Sequence, residues 1–198
     1  MRLHTRSGFE TMEPIFRALL LSGKRIMQDI LARAKGIRLV IFDVDGVLTD
    51  GHLFLGDDGQ EYKAFHSRDG QGMEMLQRAG VTLAVITGQI SEVVRNRMEH
   101  LGVRHVYQQR DKLRAYEALK ETLHLGDEQI AYVGDDLLDL PIMRRVGLAV
   151  AVADAHALAR RYSHWQTQAP GGRGAAREVC DLVLEAQGAL DEMIAPYL

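Results

Sequence analysis

The sequence has little of several features that would point to particular classes of protein. Its 198 residues contain one cysteine, Cys180, which excludes an internal disulfide and is typical of a reducing compartment. No apolar run approaches the roughly 20 residues of a membrane span, and none has the pattern of a signal peptide. The formal net charge of -3 provides no basic field for nucleic acid. We therefore expect a soluble, cytoplasmic protein with no membrane or nucleic-acid partner.

What the sequence does contain is a regular alternation of predicted strands and helices. Buried strands are predicted for residues 39–42, 81–87, 103–107, 129–134 and 148–152, a β-hairpin for residues 52–65, and helices for residues 13–34, 68–80, 91–100, 111–124, 139–146, 155–161 and 179–193. This order predicts an α/β fold with a doubly wound, mainly parallel sheet and helices on both faces. We divide the chain into an N-terminal extension with an amphipathic helix, residues 1–36, and one domain, residues 37–198, that ends in a tail from residue 169.

Polar residues follow three of the predicted strands. Asp43 and Asp45 come directly after the first strand, Thr87 ends the second, and Asp135 follows the fourth. Ligands of such sheets bind outside the carboxyl ends of the strands, so we expect these side chains to meet there. Two acids at the end of a buried strand are costly unless a cation neutralises them, and carboxylate oxygens suit Mg²⁺. Asp135 can complete such a metal site.

Two further groups complete a site that can handle phosphate. Lys112, near a predicted helix start, can reach a phosphate as a compact positive charge. Thr87 and the amides around Gly88 can donate hydrogen bonds to phosphate oxygens. Together these groups indicate phosphoryl transfer through an aspartyl-phosphate, in which Asp43 attacks phosphorus and Asp45 serves as acid and base. A signalling receiver domain, which also clusters aspartates around Mg²⁺, is the alternative from another class.

Four short motifs resemble those of the haloacid-dehalogenase superfamily of phosphatases. They are Asp43-Val-Asp45-Gly-Val-Leu-Thr, Thr87-Gly88, Lys112 and Gly134-Asp135-Asp136-x-x-Asp139. The resemblance implies a Rossmann-type fold, a phosphoaspartate at Asp43, acid/base duty at Asp45, and Mg²⁺ held by Asp43, the main-chain carbonyl of Asp45, and Asp135. Residues 44–86 leave no room for a cap domain beside a hairpin and a helix. Because phosphoryl transfer benefits from excluding water, we expect a neighbouring subunit to cover the site.

Other segments resemble the family of 3-deoxy-D-manno-octulosonate 8-phosphate phosphatases, which act in lipopolysaccharide precursor biosynthesis as Mg²⁺-dependent homotetramers. They are Asp50-Gly51, Ala64-Phe65-x-x-Arg68-Asp69-Gly70, residues 152–155 and residues 171–181. The resemblance implies that residues 171–174 reach into a neighbour's active site. It also implies that the sugar-acid phosphate is bound by Asp45, His66, Ser67, Arg68, Asp69, Gly70, Arg97 and Lys112. Gln89 and Glu74 stand where that family usually or often has arginine, which leaves a nine-carbon ulosonic acid phosphate as the alternative substrate.

Overall fold

The computed structural model describes residues 14–198, with side chains from residue 23 onward. The predicted extension, residues 1–36, therefore lies partly outside the described residues, as do the side chains of Ile15 and Leu19 on its helix. The helices are α1 (Pro14–Lys35), α2 (Ser67–Arg78), α3 (Glu92–His100), α4 (Lys112–Leu123), α5 (Leu140–Met143), α6 (Ala157–Tyr162), α7 (Ala175–Ala186) and α8 (Leu190–Ile194). The strands are β1 (Leu39–Phe42), β2 (Phe54–Leu55), β3 (Glu61–Tyr62), β4 (Thr82–Thr87), β5 (His105–Gln108), β6 (Ile130–Gly134), β7 (Leu148–Ala151) and β8 (Trp165–Gln166).

Six of the strands form one parallel sheet in the order β5-β4-β1-β6-β7-β8. All four residues of β1 are buried, because this strand lies at the centre between β4 and β6. In the register, Phe42 pairs with Val85 on one side and Val133 on the other, so the three strands end at nearly the same level. Near-continuous apolar runs such as Leu39–Phe42 are what a parallel sheet covered on both faces requires.

The helices flank this sheet in two groups. In one group α7 contacts both α1 and α2, and in the other α5 contacts both α4 and α6. The strands β2 and β3 form a separate antiparallel hairpin, as predicted. Within residues 14–198 the chain has no cap domain. The predicted fold class is therefore confirmed. Among the same residues, no helix combines the length and the apolar character needed to cross a membrane.

Two elements near the C-terminus differ from the prediction. The edge strand β8 is only two residues long, which is too short for a periodic pattern to reveal it. The predicted helix over residues 179–193 is instead two helices, because Gly188 takes a left-handed conformation (φ 70°) between α7 and α8.

The start of α7 is also earlier than predicted, because a residue of another helix caps it. The buried carboxylate of Asp69, in α2, accepts hydrogen bonds from the amides of Gly174 (3.3 Å) and Arg177 (2.8 Å). These bonds join residues 105 and 108 positions apart, so no local capping signal precedes the helix.

The segment 171–174 packs on the domain of its own chain, and its predicted reach into a neighbour's active site stays a prediction. The amide of Gly172 donates to the carbonyl of Val47 (2.9 Å), and that of Gly171 donates to Asp154 (3.0 Å). A side chain at Gly171 would come within 1.8 Å of the carbonyl oxygen of Gly46. The glycines therefore let this segment pack directly on the loop that follows β1.

Candidate active site

The site lies at the carboxyl edge of the sheet, where β1, β4 and β6 end beside one another. Asp43 follows β1, Thr87 is the last residue of β4, and Asp135 follows β6. Lys112, the first residue of α4, reaches the same edge. A cavity of about 210 Å³ is lined by Asp43, Asp45, Thr87, Gly88, Gln89, Lys112, Asp135, Asp136, Leu138 and Asp139. The predicted meeting of the residues at three strand ends is thus present.

A tight loop after β1 allows the residues that follow β1 and β6 to approach closely. The amides of Val47, Leu48 and Thr49 all donate to the carbonyl of Val44. Gly46 has φ 93° and lies against Asp135, whose carboxylate oxygen would be 2.1 Å from a β-carbon at this position. Only glycine therefore allows both the loop conformation and the contact.

A buried lysine joins two of the acids. The ammonium of Lys112 is 2.8 Å from Asp43 Oδ1 and 2.7 Å from Asp139 Oδ1, and only 4% of its side chain is exposed. A lysine is rarely buried this deeply without paired carboxylates, since an unpaired charge is costly to desolvate. Lys112 is therefore a built part of the site rather than a solvated surface lysine.

Asp139 belongs to the site, although the sequence analysis gave it no role. Its Oδ1 also accepts a hydrogen bond from the hydroxyl of Tyr132 (2.6 Å), and its Oδ2 accepts from the amides of Asp135 (2.9 Å) and Asp136 (3.1 Å). Both oxygens are thus occupied by protein donors. Asp139 shapes the loop that presents Asp135 and holds Lys112. The only sequence signal for it was its place in the motif that begins at Gly134.

The site carries more negative charge than its one lysine can balance. Carboxylate oxygens of Asp43, Asp135 and Asp139 all lie within 4.8 Å of one another. Burial, then the charge of Asp139, raises the pKa of Asp43 to about 7. Burial, then Asp43 and Asp139, raises the pKa of Asp135 to about 8. Burial opposes the charged form of Lys112, yet Asp43 and Asp139 outweigh it and raise its pKa. Such a cluster fits a hard divalent cation such as Mg²⁺.

The side chain of Asp45 lines the cavity but points to a different partner. Its Oδ1 is 2.5 Å from the ammonium of Lys63, and it is not one of the three clustered carboxylates. This placement is compatible with the predicted use of its main-chain carbonyl toward a metal, which stays a prediction. Lys63, in contrast, was not identified from the sequence.

Of the residues predicted to bind the sugar-acid phosphate, Asp45 and Lys112 line the cavity of the single chain, whereas the six from the α2 region and α3 do not. His66 caps α2 by accepting from the amide of Arg68, Ser67 and Arg68 are exposed, and Arg97 lies 6.0 Å from the ring centre of Phe65. Gly70 packs against the guanidinium of Arg97, and Asp69 holds α7 as described above. The structure thus offers Asp69 a structural role that the sequence analysis did not assign, and the substrate contacts of the whole set stay predictions.

A larger concavity on the described surface lies elsewhere and lacks this chemistry. It has a volume of about 690 Å³ and lies along β5 and the end of α3, with Glu99 as its only carboxylate. With a single acid beside Arg95 and Arg104, this concavity lacks a cluster of carboxylates, so the smaller cavity at the strand ends is the candidate site.

A parallel sheet with acids at these strand ends defines a class of hydrolase, and comparison with known proteins agrees. A family model described as haloacid dehalogenase-like hydrolase matches residues 105–178. The match covers β5, the helix carrying Lys112 and the loop carrying Asp135 and Asp139.

More similar relatives narrow the family. The chain is 50% identical to 3-deoxy-D-manno-octulosonate 8-phosphate phosphatase KdsC of Escherichia coli over 84% of this chain and 89% of that protein. A crystal structure of the phosphatase from Yersinia pestis is 51% identical (TM-score 0.81), with 82% of this chain and 89% of that one covered. Another, from Moraxella catarrhalis in complex with magnesium, phosphate and KDO, is 41% identical (TM-score 0.85), with 87% and 99% covered. The chain belongs to the family of 3-deoxy-D-manno-octulosonate 8-phosphate phosphatases.

Replacing one of the crowded acids tests the charge balance of the site. Because the pKa of Asp135 rises from 3.8 to about 8 on folding, ionising it destabilises the folded state increasingly as the pH rises through this range. In metal-free buffer at pH 8, we expect Asp135→Asn to be more stable than the wild type. Its free energy of unfolding should be higher by on the order of 1–2 kcal/mol at pH 8, and by less at pH 5.

The same urea titrations with and without Mg²⁺ complete this test. Mg²⁺ should stabilise the wild type, because it binds only the folded state, and should stabilise Asp135→Asn much less. Asp57→Asn is the control, since this carboxylate is exposed and lies outside both the cluster and the cavity lining. Equal stabilisation of wild type and Asp135→Asn by Mg²⁺ would contradict a cation site at Asp135.

Proposed function

We propose that the protein is a Mg²⁺-dependent phosphatase that hydrolyses 3-deoxy-D-manno-octulosonate 8-phosphate to the free sugar acid and phosphate. The observation that carries the proposal is the buried group of Asp43, Asp135, Asp139 and Lys112 at the strand ends, in a chain of this family. The crystal structure of the Moraxella catarrhalis relative is a complex with Mg²⁺, phosphate and the sugar acid KDO, which are the cofactor and products of this reaction.

In the first step, an oxygen of Asp43 attacks phosphorus. The bond from phosphorus to the sugar oxygen breaks, and the departing oxygen takes a proton from the carboxyl of Asp45. Lys112 is 2.8 Å from Asp43, so it can stabilise both the nucleophile and the negative oxygens of the transferred group. Thr87, whose side chain lines the cavity, would donate its hydroxyl to the same phosphoryl oxygens.

In the second step, water displaces Asp43 from phosphorus. The carboxylate of Asp45 takes the proton of the attacking water, and the bond between phosphorus and Asp43 breaks, which restores both residues. Asp43, the main-chain carbonyl of Asp45, and Asp135 would hold the metal. A bound Mg²⁺ supplies the positive charge that lets an anionic carboxylate approach an anionic phosphate.

The identity of the sugar is the part of the proposal with a specific rival. Gln89 lines the cavity, at a position where the family usually has arginine and where the side chain could contact the substrate. A nine-carbon ulosonic acid phosphate is therefore the second candidate. We favour the eight-carbon substrate because the named relatives at 50% identity carry that activity. Membership of a phosphatase family argues against the receiver-domain alternative.

We also infer a homotetramer in which neighbouring subunits complete the active sites. We place the protein in the cytoplasm, because its single cysteine, Cys180, is typical of a reducing compartment. The hairpin exposes the apolar side chains of Leu53, Phe54, Leu55 and Tyr62, with Leu55 74% accessible, and Ile90 next to the cavity is 82% accessible. An exposed apolar patch of this kind is typical of a protein interface. The same hairpin also contacts Asp45 through Lys63, the residue after β3, so a subunit bound there would adjoin the open site.

A panel of substrates tests the proposed reaction. With Mg²⁺, we expect phosphate release from eight-carbon ulosonic acid phosphate to exceed that from the nine-carbon compound and from simple hexose phosphates. Asp43→Asn should lose essentially all turnover, because an amide side chain cannot form the acyl phosphate, while retaining the fold by circular dichroism. No release from any ulosonic acid phosphate would refute the substrate class, and a residual wild-type rate in Asp43→Asn would refute the nucleophile.

A charge placed on the hairpin tests the assembly. We expect sedimentation velocity to detect a tetramer for the wild type and smaller species for Leu55→Glu, because the interface would have to bury an unpaired carboxylate. Activity should fall with dissociation if neighbours complete the sites. Leu158→Glu serves as the control, since Leu158 is also exposed but lies on α6. A monomeric wild type, or a fully active monomeric Leu55→Glu, would contradict the inference.

A further inference from the structure

We propose that Lys63, held by Glu61, is a positioning residue that fixes the orientation of the Asp45 carboxyl for proton transfer to the leaving oxygen. The inference rests on the acid/base role given to Asp45 in the proposed function. It assigns a function to Glu61, in β3, and to Lys63, just after β3. The motifs at the strand ends assign no function to the hairpin.

The contacts of Lys63 are those of a buried clamp. Its ammonium lies 2.5 Å from Asp45 Oδ1 and 2.9 Å from Glu61 Oε1, and only 1% of its side chain is exposed. Lysine side chains lose several rotatable bonds of freedom when they are held this way. A lysine ordered between two carboxylates in a short hairpin is therefore more than a surface ion pair, which contributes little.

Glu61 is itself anchored to the body of the domain. Its Oε2 accepts a hydrogen bond from the hydroxyl of Ser91 (2.5 Å), the residue that caps α3. The backbone of Ser91 is in turn bonded in both directions to the side-chain amide of Gln108, at 3.0 and 2.8 Å. The network thus runs from the end of β5 through the start of α3 to Asp45.

The hairpin strand places its side chains to suit this role. Side chains alternate along a strand, so Glu61 and Lys63 point to one side and Tyr62 to the other. Tyr62 is 59% exposed, whereas the side chains of Glu61 and Lys63 are 20% and 1% exposed. The inward side of β3 therefore faces Asp45 and Ser91. A two-stranded hairpin has little stability of its own, so this polar contact also docks it.

The clamp distinguishes the two oxygens of Asp45. Oδ1 is the oxygen bound by Lys63, and among residues 23–198 no protein donor binds Oδ2. Because the ammonium of Lys63 carries only donors, Oδ1 must remain an acceptor, and the proton that Asp45 gives away is carried by Oδ2. Without Lys63 the carboxyl is free to rotate, and the transferable proton no longer has a fixed direction.

Leaving groups of different basicity give a readout that a merely structural role would not move. A sugar oxygen needs a proton as it departs, whereas p-nitrophenolate departs readily without one. We expect Lys63→Met to lower kcat/KM for the ulosonic acid phosphate by roughly ten- to a hundredfold, within the range of general-acid effects, and for p-nitrophenyl phosphate by less than about threefold. The ratio kcat/KM is used because it reports the steps up to departure of the leaving group.

Conservative and control variants separate the possible explanations. Lys63→Arg should recover most of the activity toward the sugar phosphate, and Glu61→Gln should show a smaller loss with the same dependence on the leaving group. Lys120→Met is the matched control, because Lys120 also bridges two carboxylates, those of Glu117 (3.1 Å) and Asp127 (2.9 Å), far from the cavity lining. It should leave both rates unchanged.

Equal losses of kcat/KM on the two substrates in Lys63→Met would overturn the inference. If Lys63→Met does not fold, Glu61→Gln and Lys63→Arg decide it, and an unchanged ratio of the two rates in both variants would overturn it equally. Asp45→Asn, measured in parallel, separates this inference from the proposed function. If Asp45→Asn loses more activity on the sugar phosphate than on p-nitrophenyl phosphate and Lys63→Met does not, only the role of Lys63 is refuted. If Asp45→Asn loses equally on both substrates, the role of Asp45 as an acid is refuted.

Discussion

A surplus of buried negative charge at one edge of the sheet is the constraint on which the site depends. Three carboxylates, from Asp43, Asp135 and Asp139, share a space less than 5 Å across with a single lysine. Ionisation of Asp43 and Asp135 is unfavourable there, as their raised pKa values indicate. A bound Mg²⁺ would offset this surplus of negative charge, which gives the unfavourable grouping a function.

The surrounding structure can be understood as support for that edge. The central position of β1 places Asp43 between the ends of β4 and β6, and Gly46 lets the following loop touch Asp135. Asp139 is satisfied by a tyrosine, a lysine and two backbone amides, so it can be buried without competing for the metal. The hairpin then adds a second charged pair, Lys63 and Asp45, on the other side of the cavity. The opposite face of the hairpin is apolar and exposed, which links Asp45 to the surface on which we expect another subunit.

The sequence predicted the sheet and its acidic edge because both depend on local patterns. Apolar runs ending in Asp43, Thr87 and Asp135 were enough to place three residues in one site, since parallel strands share an edge. Contacts between distant segments could not be predicted in this way. The capping of α7 by Asp69, the packing of Gly171 and Gly172 on the loop after β1, and the contact of Lys63 with Asp45 all depend on the final arrangement of elements. The packing of segment 171–174 could not be predicted for the same reason, because its glycines indicate close approach without indicating to which surface.

Direct detection of a phosphorylated aspartate tests the central claim most closely. Enzyme mixed with excess sugar-acid phosphate and Mg²⁺ is quenched in acid within milliseconds, reduced with borohydride, digested and examined by mass spectrometry. Borohydride converts an aspartyl-phosphate to homoserine, so we predict that this change occurs at Asp43 of the wild type. With p-nitrophenyl phosphate, whose leaving group needs no proton, the change should accumulate further in Asp45→Asn, because water is no longer activated. Modification at a different aspartate, or turnover with no modified residue at any quench time, would contradict the account.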